Sequence, residues 1–155
     1  MNVGISLGLG FVVLFTGACT SGHGVPRAGV IRDSLNAVAG ATTDVAITQF
    51  ALGDWTELFI FGPYSSSEVV ARCVGSRVDD ADIASREDID LFIFRFADGA
   101  TATRAVPRGA PSFETRAWNA AYSRAATFRL APSPLGSGTT LVPAAGLTRR
   151  CSRAI

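Results

Sequence analysis

Lysine is absent from this sequence: all 14 basic residues are arginine. Schiff-base chemistry and a phosphate-binding P-loop lysine are therefore both excluded. Histidine is nearly absent, with His23 the only one. A serine or cysteine nucleophile most often needs histidine as its base. His23 sits in a stretch rich in Gly and Ser, so no Ser–His or Cys–His machine is expected. One His and three Cys, two of them expected to pair, also fall short of a closed four-ligand zinc site, and no cofactor motif is present. An excess of either charge is missing too. The 14 basic and 13 acidic residues leave a net charge of +1, which gives no electrostatic claim on nucleic acid.

What is present is globular composition, 48% hydrophobic and 17% charged over 155 residues, the size of a single domain. From Val3 to Phe15 the chain is uncharged and almost wholly apolar or glycine. That suits the apolar core of a secretory signal and is too short to span a bilayer, which needs roughly 20 helical residues. The run ends in the small residues Thr16-Gly17-Ala18, directly before Cys19.

Thr16-Gly17-Ala18-Cys19 resembles the lipobox of bacterial lipoproteins, in which the cysteine receives diacylglycerol. It departs from the pattern in having Thr16 where an aliphatic residue is usual and no basic residue in Met1-Asn2. Two other readings stand beside it: the same small residues satisfy the rule for a cleaved signal of a soluble secreted protein, or the apolar run is a helix packed into the fold. Cysteine parity favours lipidation, because an odd count in an exported protein leaves one thiol to be explained. With Cys19 acylated, Cys73 and Cys151 remain as a pair. Their disulfide would close a loop of roughly 80 residues and contribute ~4.5 kcal/mol by chain entropy. The chain thus resembles small bacterial envelope lipoproteins of uncharacterised function. The resemblance extends to the Phe61-Gly62-Pro63-Tyr64 stretch and to the Phe-rich strand with its Asp98-Gly99 turn. It implies a signal peptide at 1–18, a lipidated Cys19 with a flexible tether to residue 29, and a single globular domain at 30–155 with a Pro/Gly-rich C-terminal segment. Thr20 is not Asp, which by the same resemblance directs the protein to the outer membrane, facing the periplasm.

Periodicity organises the domain. Ile31, Leu35 and Val38 mark one helix face ending at Gly40, and Ser65 with Glu68 has capping-box spacing before a second helix that ends at Gly75. Strands are expected at 44–50, 55–61, 89–96, 100–106, 125–130 and 139–142. A type I′ turn at Asp98-Gly99 and a short helix over 112–123 complete the reading. The fold class is α+β, an antiparallel or mixed sheet of four to six strands with two or three short helices. Phe59 and Phe61 alternate with Leu58 and Ile60, and Phe92, Phe94 and Phe96 with Leu91 and Ile93, so both faces of the central strands are apolar and need cover.

Chemistry is harder to place. The acidic segment 79–90 lacks the ordered calcium-loop pattern and reads as a solvated loop before a strand. No carboxylate pair is selected by spacing. Arg104, Arg108, Arg116 and Arg124 fall in an arginine-rich span and are taken as a possible partner surface, the common alternative being scattered solubilising charge. The expectation is a non-enzymatic, membrane-tethered binding or assembly module with an envelope protein partner. The alternative is an envelope hydrolase using carboxylates.

Overall fold

A computed structural model describes residues 24–134, 136 and 138–151. Cys19, His23 and the apolar run before them lie outside the described residues. The fold is α+β: seven strands in one mixed sheet, with two helices. The strands, in chain order, are β1 (Val45–Ala46), β2 (Glu57–Phe61), β3 (Ile89–Arg95), β4 (Thr101–Pro107), β5 (Ser112–Phe113), β6 (Ala120–Pro132) and β7 (Thr139–Arg150). Helix α1 spans Ala28–Ala37 and helix α2 spans Ser67–Val74. The sheet runs β4-β3-β2-β6-β7-β5, and β1 pairs with the far half of β6. All pairings are antiparallel except β5 with β7.

Alternation in β2 and β3 sorts their side chains into two cores. Leu58, Ile60, Phe92, Phe94 and Phe96 join Ile31 and Leu35 of α1, together with Trp55, Tyr122 and Phe128. Phe59, Phe61, Leu91 and Ile93 join Val70, Cys73 and Val74 of α2, with Val78, Ala81 and Ile83 from the following loop. Both apolar faces are thus covered by the chain itself, α1 on one and α2 with its loop on the other. Cys73 and Cys151 form a disulfide, with their Cα atoms 5.1 Å apart, which ties α2 to the residue following β7.

Several local expectations are corrected. Seven strands replace the expected four to six because Ser112–Phe113 pairs beside β7 as β5, and the two C-terminal strands are longer than expected, β6 running to Pro132 and β7 to Arg150. Their pairing jumps from Tyr122 opposite Leu147 to Thr127 opposite Ala145. Gly146 lies at that irregularity with φ +75°, and a β-carbon there would overlap the Ala126 backbone. The helix expected over 112–123 is instead β5, a single 3₁₀ turn at Thr115–Ala117 and the start of β6. Phe113 is drawn into a ladder with Leu141, and Asn119 adopts φ 52°, which no helix continues through.

The strand expected at 44–50 shortens to Val45–Ala46, because the Gln49 side chain accepts the Ala46 N–H at 2.9 Å and closes a 3₁₀ turn. Ser66, not Ser65, caps α2, accepting the Val69 N–H at 3.3 Å, while buried Ser65 donates to the Gly62 carbonyl at 2.8 Å. The Asp98-Gly99 turn is not type I′. Phe96 N–H bonds the Ala100 carbonyl and Gly99 N–H the Phe96 carbonyl, with only Gly99 of the turn at positive φ, so this is a three-residue connection. The fold also begins earlier than residue 30: α1 starts at Ala28, Val25 is buried, and Arg104 donates to the carbonyls of Pro26 and Val25 at 2.9 and 3.3 Å.

Candidate functional site

The alternation that sorts the cores places one charged side chain among them. Asp90 lies two residues before Phe92 on β3 and so shares the α1 face of the sheet. Its side chain is only 4% exposed, and its Oδ1 stands 3.8 Å from Nε of Arg108, which follows β4. Arg32 of α1 is the second cation near it; its guanidinium donates to the carbonyls of Pro107, Ala110 and Pro111 and so packs α1 against the segment that carries Arg108. Burial is the dominant influence on the Asp90 carboxyl and pushes its pKa up to about 6, against the pull of Arg108, Arg32 and the Trp118 indole. Arg32 is itself half-buried, which lowers its pKa, and Asp90 opposes that shift.

Trp118 is held at this point by close packing. A β-carbon on Gly62 would overlap its ring, and the Arg108 guanidinium lies 5.3 Å from the ring centre. Nε1 of Trp118 and Nε of Arg108 are buried and turned to the Asp90 carboxylate without closing ideal hydrogen bonds to it, and Oε2 of Glu114 is buried without a hydrogen-bond partner. The other carboxylate oxygen of Glu114 accepts from Nε of Arg116 at 2.7 Å. Arg108, Glu114 and Trp118 line a cavity of about 170 Å³ together with Ser112, Phe113 and Thr115. Among the described residues those three atoms and Oδ1 of Asp90 are the buried side-chain nitrogen and oxygen atoms that make no well-formed hydrogen bond, and the three on Asp90, Arg108 and Trp118 face one another. Arg108, Glu114 and Trp118 thus line one cavity, with Asp90 behind it against the Arg108 and Trp118 nitrogens.

Of the four arginines taken from the sequence, Arg108 and Arg116 share this neighbourhood through Trp118 and Glu114. Arg116 is exposed. Arg104 is occupied with Val25 and Pro26, and Arg124 pairs with Asp54 at 3.5 Å while lying 5.7 Å from the Trp55 ring. Cys73 and Cys151 are bonded as expected. Asp90, Glu114 and Trp118 were not singled out from the sequence. Asp90 was grouped with the solvated acidic loop, although its i, i+2, i+4 phase with Phe92 and Phe94 signals an inward side chain.

No protein-family model, curated protein or solved structure matches this chain. Its functional reading therefore rests on its own residues. No helix among the described residues is long and apolar enough to cross a membrane.

Proposed function

We propose that this chain is a bacterial envelope lipoprotein: a non-enzymatic binding or assembly module tethered by acyl groups on Cys19, on the outer membrane and facing the periplasm. One observation carries the reading. The Cys73–Cys151 bond accounts for two of three cysteines and leaves Cys19, at the end of the apolar run, as the remaining thiol. Diacylglycerol with an N-acyl chain exceeds the two membrane signals that stable anchoring requires, at about 0.8 kcal/mol per buried methylene. A binding role is supported by the polar side chains that line one cavity in the segment linking β4 to β6, among them Arg108, Glu114 and Trp118. A carboxylate hydrolase would need two acids opposed across one cleft. Here Glu114 lines the cavity, whereas Asp90 sits behind it against Arg108.

Mass spectrometry of the mature protein tests the anchor. The expected species begins at Cys19 and carries acyl mass, and Cys19→Ser moves the protein out of the membrane fraction. An intact Met1, or a mature form with no acyl mass, overturns the reading. Crosslinking in intact cells then reports the envelope partner, with Cys19→Ser as the control for contacts that need membrane attachment.

A further inference from the structure

The charges left over after internal pairing are sorted by sign around helix α2. On one flank, Ser67, Glu68 and Ala71 border a cavity of about 740 Å³ lined by Asp79, Asp80 and Asp82 of the following loop, together with Arg77. On the other, Val69, Arg72 and Cys73 border a cavity of about 190 Å³ whose remaining wall is Arg149, Arg150 and Cys151, with no carboxylate on it among the described residues. A third cavity shares Arg150 and Cys151 and adds Arg116. The helix itself carries the division: Glu68 and Arg72, four residues apart, pair at 3.0 Å across its exposed side, the acid on one flank and the base on the other. Beyond that pair the charges are unevenly matched. Among the described residues no arginine pairs with Asp79, Asp80 or Asp82, and no carboxylate pairs with Arg150, which donates to the Arg116 carbonyl at 2.8 Å. Arg95 and Arg149 share one carboxylate, that of Glu57. A chain whose net charge is only +1 thus shows a local excess of acid and a local excess of base on either side of one eight-residue helix.

A surface of this kind is complementary to itself. Two copies related by a two-fold axis that passes over α2, between the patches, bring each acidic loop onto the other copy's arginines, so that the same contact is made twice. Other occupants satisfy half of the surface: an acidic peptide or an anionic bilayer meets the arginines and leaves the aspartates unmatched. We infer that the α2 side of this domain is a self-association surface, on which a second copy of the chain docks as a two-fold dimer with its 79–82 loop against Arg149 and Arg150. Glu68 and Arg72 lie beside the axis and exchange their pairing within one chain for pairing within and between chains. The inference goes beyond the tethered-module reading and stands whether or not Cys19 carries a lipid.

The test is sedimentation equilibrium on the purified full chain, in density-matched detergent where acyl groups are present. Charged, exposed contacts make a weak dimer, so the low-salt series runs from about 1 to 300 µM. The expected mass is that of a dimer. Raising NaCl to about 0.5 M shortens the Debye length to about 4 Å and is expected to raise Kd about ten-fold or more. Charge reversal then reads the contact itself. Arg150→Glu leaves no described carboxylate without its partner, and Asp79 is the acid to reverse because Asp80 holds φ 55° and Asp82 accepts the Ala84 N–H at 3.0 Å. Arg150→Glu and Asp79→Arg each weaken the dimer about ten-fold or more. An equimolar mixture of the two recovers it, because one of the two contacts is then native and the other is reversed on both sides. A folding defect in either variant cannot produce that recovery, and the salt series on the unaltered chain needs no variant at all. A monomer throughout the low-salt series, a species larger than the dimer, salt-independent association, or a mixture no tighter than either variant alone overturns the inference. A chain that stays monomeric yet binds oligoglutamate or phosphatidylglycerol vesicles overturns it too and gives the arginines to that occupant.

Discussion

On the α1 face of the sheet, Phe50, Phe92, Phe113 and Phe128 meet edge to face with ring centres between 5.7 and 5.9 Å apart. On the α2 face the ring contact among the described residues is one stacked pair, Phe59 with Phe61 at 6.5 Å. The first core draws on both helical and strand residues from Val25 to Leu141, while the second is smaller and leans on an eight-residue helix. The smaller core carries the additional fasteners. The Cys73–Cys151 bond closes it at one side. At another, Arg95 pairs with Glu57 at 2.9 Å and donates to the Val74 carbonyl at the end of α2, while Arg149 reaches the same Glu57 at 3.4 Å. Both guanidinium groups lie near the Phe59 ring, at 4.8 and 5.4 Å. Apolar area stabilises one face, and covalent and charged links make up for its shortage on the other.

That contrast breaks first at Phe92. Truncation to Ala removes a ring from the aromatic cluster and is expected to cost about 3–5 kcal/mol, read as a shift in the urea midpoint at unchanged slope. Replacing Cys73 with Ser is expected to cost about 2–4 kcal/mol. The two variants should differ in where protection from hydrogen exchange is lost. Without the bridge, α2 and the end of β7 open while α1 stays protected; uniform loss in both variants would show that the two faces are not separately fastened.

The smallest expected effect concerns Asp90, a buried acid on the α1 face. Asp90 has its pKa raised by burial from 3.8 to about 6, so the folded state binds a proton more tightly than the unfolded state. The resulting stabilisation is complete below pH 4 and disappears as pH rises through 6, a decline of about 2–3 kcal/mol. Asp90→Asn should flatten the stability profile between pH 4 and 6. An unchanged slope would mean that Arg108 and Arg32 fully offset the desolvation of the carboxylate.

Much of the sheet's centre was legible because β2 and β3 alternate without interruption and because α2 is bounded by a serine pair and Gly75. The cysteine count likewise pointed to the Cys73–Cys151 bond. The long ribbon of β6 and β7 was harder to see. Ala120, Ala121, Ala125, Ala126, Ala144 and Ala145 carry little periodic signal, and Pro132, Pro143 and Gly146 read locally as breaks. Only cross-strand pairing over long sequence separation makes that segment a strand. The cavity was hidden for the same reason. Arg108, Glu114 and Trp118 are close in sequence, but they meet Gly62 and Asp90 only through the order of the strands, and no spacing announces a side chain that lies inward without a partner.

The grip of Arg104 on Val25 and Pro26 fixes the chain beside β4 at residue 25, and so would set the clearance of Cys19 were it acylated as proposed. Six residue steps separate Cys19 from Val25, a reach of about 20 Å even at full extension. With that acylation, a leash that short would keep the domain low over the bilayer, with the β4 side nearest the tether.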